Sequence, residues 1–271
     1  MSIGLGCGAL GEPSLDEVQV QALLDGAVEL GVTVFDAARS YGIAEARLGR
    51  GLRGRSVTIS TKGGYGVEPV PEWTGTAITE GIERARRLLG VERIDVFHLH
   101  SCPLEVLQRP ELTDALQAAK RAGRIVRAGY SGDNEALSWA VESGFFDAVQ
   151  ASFSVFDQSN GPALRRAKAR GLWVMAKRAL GGAVWKGLGT DDAGREYRRR
   201  LEVMGLQVDE DLAARFVAHA PEVDVALVGT TRLEHLRQVM EAVARGPLPA
   251  EVESAVRAAF HGNGAGWRAQ I

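Results

Sequence analysis

The sequence predicts a closed barrel of eight parallel strands, each followed by a helix. Three observations predict it. Eight short β-branched runs recur along the chain, segments of helical period lie between them, and 271 residues is about the size of one such barrel. The strand-like runs are SIGLG (2–6), VTVFD (32–36), VTISTK (57–62), IDVFHLH (94–100), RIVRAGYS (124–131), DAVQAS (147–152), LWVMAK (172–177) and VDVALVG (223–229). Most are almost continuously apolar, as parallel strands covered on both faces should be.

The first helical segment, 15–30, carries Val18, Leu23, Ala27 and Leu30 at helical spacing. Residues 74–90, 111–122, 134–143, 160–170, 208–220 and 232–245 read the same way. Gly31, Gly90, Gly123, Gly144 and Gly171 each stand where a helix ends before the next strand. An open doubly wound sheet would use fewer strands over this length. GLGCGALG (4–11) is glycine-rich but runs on to Pro13, so it reads as a tight strand exit with room for a ligand rather than as a dinucleotide fingerprint. Two segments fall outside the pattern: a long loop after strand seven, 181–207, and the C-terminal tail FHGNGAGWRAQI. A loop of that length is functional or mobile. No linker or shift of composition divides the chain, so 1–271 reads as one domain.

Thirty-two basic and 34 acidic side chains leave a net charge of −2, and hydrophobic residues make up 45%. That composition is globular, and its balance argues against a nucleic-acid or membrane-surface binder. Two cysteines, Cys7 and Cys102, exclude a disulfide framework and any metal site built mostly from thiolates; no metal is expected, and the thiols read as small buried hydrophobes. No apolar run reaches membrane-spanning length and the N-terminus lacks a secretory pattern, so a cytoplasmic protein is expected. Oligomeric state is left open.

In a barrel the chemistry sits where the strands end. Here strand two ends at Asp36, strand three at Lys62 and strand four at His100, with Tyr41 just beyond Asp36. Gln150, Ser152 and Lys177 end later strands. This set suits proton donation. A phenol is a poor acid at neutral pH, but a cation at ~4 Å with an effective dielectric of ~20 is worth ~4 kcal/mol, or at most ~3 pKa units. Lys62 supplies such a cation, Asp36 keeps it charged, and His100 orients a carbonyl.

GVTVFDAARSYGIAEARLGRGL (31–52), VTISTKGG (57–64) and IDVFHLHS (94–101) resemble the aldo-keto reductase family. Gly31, Thr33, Phe35, Asp36, Ala38, Tyr41, Gly42, Glu45, Leu48 and Gly49 fit that family's G-x-T-x-F-D-T-A-x-x-Y-G-x-S-E-x-x-L-G stretch. The resemblance implies a (β/α)8 barrel, a nicotinamide dinucleotide bound without a Rossmann domain, and a catalytic tetrad of Asp36, Tyr41, Lys62 and His100. Hydride would pass to the carbon of a small carbonyl substrate while Tyr41 protonates its oxygen. It further implies that Ser131 and Gln150 contact the nicotinamide carboxamide, that Gly229, Thr230, Thr231 and Arg232 grip the adenosine phosphate, and that Gln238 lies near the adenine. Arg232 beside two threonines suits the 2′-phosphate, so NADPH is expected in preference to NADH. Gly132 stands where the family often has Asn, Lys177 where many members stack an aromatic ring on the nicotinamide, and His235 where some have Arg. Lys177 and Arg178 would then contact the cofactor instead.

Other readings stand beside these. Lysines at strand ends can form imines, so a Schiff-base aldolase or lyase is an alternative, as is a non-catalytic NADPH-sensing module. Lys177 and Arg178 can equally be salt-bridge formers. His98 reads as packed in the barrel interior, and Arg198, Arg199 and Arg200 as a solvated helix face or a loop anchor. Trp185 and Trp267 are candidates for a substrate pocket; Trp73, Phe153 and Phe156 read as core.

Overall fold

In the computed structural model, which describes residues 2–270, eight parallel strands close into a barrel in chain order. They are β1 (Ser2–Gly6), β2 (Val34–Asp36), β3 (Thr58–Gly63), β4 (Ile94–His100), β5 (Ile125–Ser131), β6 (Ala148–Ser152), β7 (Trp173–Lys177) and β8 (Val225–Gly229). β1 pairs with both β2 and β8, which seals the ring. Every strand expected from the sequence is present.

The helices are α1 (Glu17–Glu29), α2 (Ala44–Gly51), α3 (Gly75–Leu89), α4 (Leu104–Leu107), α5 (Pro110–Arg121), α6 (Asn134–Ser143), α7 (Gly161–Ala169), α8 (Asp192–Met204), α9 (Glu210–Ala218), α10 (Leu233–Ala244) and α11 (Ala250–Asn263). The starts of α1, α3, α8 and α9 are capped by side chains the sequence supplies. Asp16, Thr74, Asp191 and Asp209 each accept a hydrogen bond from a first-turn backbone N–H of α1, α3, α8 and α9. α1 buries Val20, Leu23, Leu24 and Ala27, while Val18 is 76% exposed. The expected stripe was thus offset at its start, because Val18 lies on the face turned away from the sheet.

The segment 181–207 is not an open loop. A 3-10 turn, Gly181–Lys186, leads into α8. Arg198 donates to Leu188 O at 3.0 Å, which anchors the stretch between them. Arg200 is buried, contrary to a solvated face. It donates to Phe156 O and Arg268 O, lies 3.4 Å from Asp157, and carries the Trp267 ring 4.9 Å over its guanidinium. The tail after α11 is strapped to the same place. Gln270 N donates to Asp157 Oδ2, Ser152 Oγ donates to Gln270 O, and Asn134 pairs with Ala269.

Side chains alternate across each strand, and the inward set is layered. Val34, Met175, Val225 and Leu227 form an apolar plug with Trp173 packed against it. Other inward positions are polar: Ser60, Lys62, His98, Asp36 and Gln150, all buried. A larger apolar core lies between the outer strand faces and the helices.

Candidate active site

The tetrad residues expected from the sequence meet at the C-terminal rim. Asp36, Lys62 and His100 arrive on β2, β3 and β4, with Lys62 in register beside His98. Tyr41 arrives on the loop after β2. That loop follows the edge of β3, since Arg39 N donates to Lys62 O at 3.0 Å and Tyr41 N to Ala38 O at 3.0 Å. It is then clamped to the loop after β1, where Ile43 N donates to Gly11 O at 3.2 Å. A Cβ on Gly11 would lie 2.0 Å from Tyr41 O, so only glycine permits the approach that sets Tyr41 in place.

Lys62 Nζ donates to Asp36 Oδ2 at 2.6 Å and to Ala37 O at 2.7 Å, and lies 5.0 Å from the centre of the Tyr41 ring. Burial alone would lower the pKa of this ammonium. The carboxylate of Asp36 and then the Tyr41 phenol outweigh burial, and the pKa is raised. Asp36 Oδ1 takes two further hydrogen bonds, from Ser60 Oγ at 2.8 Å and Gln150 Nε2 at 2.9 Å. Ser60 spends its one proton on Asp36, so His98 Nε2, 3.1 Å from Ser60 Oγ, must be the donor of that pair. His98 is therefore a buried support for Asp36. Its ring lies on Gly129, where a Cβ would stand 2.3 Å from Nδ1. Burial first, then Lys62, lowers the His98 pKa to about 3. His100 is lowered to about 3 as well, by burial, Lys62 and Lys177 in that order, and is neutral at working pH.

A cavity of about 830 Å³ opens beside these groups. Asp36, Tyr41, His100 and Gln150 line it, together with Gly229, Thr230, Thr231 and Arg232, and Lys177 and Arg178 are also on its wall. Gly6 and Gly8 line it too, as the glycine-rich strand exit suggested. Lys177 is ion-paired with buried Asp133 at 2.7 Å, and Arg178 with Asp191 at 3.2 Å. Ser131 Oγ donates to Gln150 Oε1 at 3.0 Å, which joins both residues to Asp36 rather than leaving them apart. Gln238 is exposed on α10, donates to Glu234 and does not line the cavity. Trp185 and Trp267 do not line it either. Trp185 packs on Phe156, and Trp267 on Phe260 and Arg200; both rings are half-buried in those contacts.

Sequence reasoning missed Tyr65, whose hydroxyl lies 2.5 Å from His100 Nδ1, and Lys186, which lines the cavity and pairs with Glu210; His235, the position where some family members have Arg, lines it too and lies 3.4 Å from Glu210. The signal for Tyr65 was present: a phenol three residues past Lys62, in the same strand exit, TKGGY. Among the described residues no cluster of three or more His, Cys, Asp or Glu is arranged to hold a metal. Among them, too, no helix is long and apolar enough to cross a membrane.

A parallel barrel that buries an ion pair against a tyrosine, at the strand ends and beside a long cavity, has the layout of a barrel enzyme that moves a proton on a bound small molecule. The comparisons make this particular. The model of the Aldo/keto reductase family matches residues 2–260, and the chain belongs to that family of nicotinamide-dependent oxidoreductases. The barrel superposes on an aldo-keto reductase from Bacillus halodurans in its holo form with a TM-score of 0.81, at 21% identity, covering 95% of this chain and 91% of that one. A Pseudomonas aeruginosa protein classed with the aldo-keto reductases gives 0.73 at 26% identity, covering 90% and 89%. Among curated proteins, the L-glyceraldehyde 3-phosphate reductase of Escherichia coli K12 is 31% identical over 128 residues, covering 41% of this chain. The aligned stretch spans 36% of that relative's length.

Proposed function

We propose that the protein is an NADPH-dependent reductase of aldehydes or ketones, with Tyr41 as the proton donor. One observation carries the reading: the ammonium of Lys62, fixed by Asp36 at 2.6 Å, lies 5.0 Å from the Tyr41 ring centre at the mouth of the cavity. The lining of the cavity suits a dinucleotide. Its wall carries Thr230, Thr231 and Arg232 just before α10, a cation and two hydroxyls that suit phosphate. Gly229, Thr230, Thr231 and Arg232 would hold the phosphates, and Gln150, Ser131, Lys177 and Arg178 the nicotinamide end. A reduced nicotinamide bound there would supply the hydride. Tyr41 then gives its proton to the carbonyl oxygen. Lys62 stabilises the phenolate left behind, Asp36 holds Lys62 charged and in position, and His100 orients the carbonyl.

An imine-forming lyase is disfavoured by the same geometry. Lys62 has a raised pKa, and Lys177 is tied up in an ion pair with Asp133, so neither stands free to attack a carbonyl. The two free, buried cysteines suit a reducing compartment, in keeping with a cytoplasmic protein. The test is NADPH oxidation against a panel of aldehydes that includes L-glyceraldehyde 3-phosphate, with Tyr41→Phe alongside. Turnover should fall by at least two orders of magnitude in the variant, while NADPH binding measured by tryptophan fluorescence is unchanged. Full activity in Tyr41→Phe would remove the proton donor from this scheme.

A further inference from the structure

A neutral imidazole carries one proton, and the nitrogen that holds it decides whether the ring donates or accepts at the cavity. In His100 the two nitrogens are not equivalent. Nδ1 lies 2.5 Å from the Tyr65 hydroxyl, while Nε2 makes no hydrogen bond to any described residue, and the ring lines the cavity. Tyr65 is itself held. Its ring stacks on His100 at 5.7 Å and 26°, Trp73 meets it edge-on at 5.6 Å, and its oxygen is 3.1 Å from Ser40 Oγ.

The direction of the Tyr65–His100 bond follows from acidity. A phenol is a stronger acid than an imidazole N–H, and an imidazole nitrogen is a stronger base than a phenol oxygen. The short contact is therefore O–H···N, with Ser40 able to donate to the phenol oxygen in turn. We infer that Tyr65 is a positioning residue that donates to His100 Nδ1 and so fixes the imidazole proton on Nε2, where it faces a carbonyl oxygen as a second donor beside Tyr41. Burial keeps the Tyr65 phenol protonated by raising its pKa, and His100 stays neutral for the reasons given above, so the arrangement persists across working pH. Its catalytic consequence rests on the reductase reading; the tautomer itself does not.

The experiment reads both separately. Long-range 1H–15N spectra of the full-length protein, labelled at histidine and assigned with His100→Gln, should show Nδ1 of His100 unprotonated and Nε2 protonated. Tyr65→Phe keeps the ring and its contacts and removes only the hydroxyl. The variant should show a mixed tautomer signature and a kcat for aldehyde reduction lower by on the order of tenfold, the worth of one hydrogen bond, with NADPH affinity unchanged. A proton on Nδ1 in the wild type overturns the inference, and so does an unaltered His100 spectrum in Tyr65→Phe, even if that variant is less stable. The expected spectra without any carbonyl reduction would support the tautomer assignment and reject the reductase reading instead.

Discussion

Replacing Lys62 with Met removes one half of an ion pair that has almost no solvent around it. The two side chains are 0% and 5% exposed and meet at 2.6 Å. Asp36 would keep its bonds from Ser60 and Gln150 but lose the ammonium that neutralises it. Breaking a buried pair from one side costs about 3–5 kcal/mol. With a urea m-value of about 3 kcal/mol/M, the unfolding midpoint should fall by about 1–1.7 M. Asp36→Asn should cost a similar amount, by stranding the ammonium. The double variant Asp36→Asn/Lys62→Met strands neither charge, so its loss should be smaller than the two single losses together by about 2 kcal/mol. The pH dependence has a definite sign. Lys62 has a raised folded pKa, so its contribution is complete below the ordinary lysine value of about 10.4 and is lost as pH rises through the higher folded value. The gap between wild type and Lys62→Met should therefore narrow only above about pH 10.5. Strictly additive losses, or a gap that closes near neutrality, would refute this account of the pair.

Three further outcomes are expected. Gly129→Ala should cost about 1–3 kcal/mol and lower the melting temperature, because its Cβ would press on the His98 ring that supports Asp36; an unchanged melting temperature counts against that packing. His98 and His100 both have folded pKa values lowered to about 3, so the unfolded chain binds protons that the folded one refuses between pH 6.5 and 3. Stability should fall with pH in that window by about 1.4 kcal/mol per unit for each histidine, and His98→Leu should flatten the fall in urea midpoints measured from pH 7 to 4. Arg232→Ala should weaken NADPH binding about 10- to 100-fold, the worth of a charge-assisted hydrogen bond, and leave NADH binding nearly unchanged. Equal losses in a fluorescence titration would move Arg232 from the 2′-phosphate to a phosphate common to both.

The barrel was legible because the strands of a parallel sheet are covered on both faces and so carry dense β-branched runs. The rim was legible because Asp36, Lys62 and His100 are polar residues ending such runs. α8 was not. Its sequence DAGREYRRRLEVM is mostly charged, and its inner face is completed by Arg200, whose charge is met by Asp157 and backbone carbonyls rather than by an apolar stripe. α2, at eight residues with two glycines, falls below the length at which a period shows. Trp185 and Trp267 looked available for a ligand only because the elements that cover them went unrecognised. Tyr65 eluded the reading for a different reason: the phenol three residues past Lys62 was visible, but not that His100 faces it from the next strand exit.

The seam between β1 and β8 has a consequence for biosynthesis. Ser2–Gly6 leaves the ribosome before the other seven strands, yet one edge of that strand waits for Val225–Gly229 before its backbone is satisfied. The strap that joins Ser152, Asp157 and Arg200 to residues 268–270 comes later still. Closing the barrel and docking the strap are both pairings of high contact order. Until then the nascent chain presents an open strand edge, the kind of surface that chaperones shield and neighbouring chains capture.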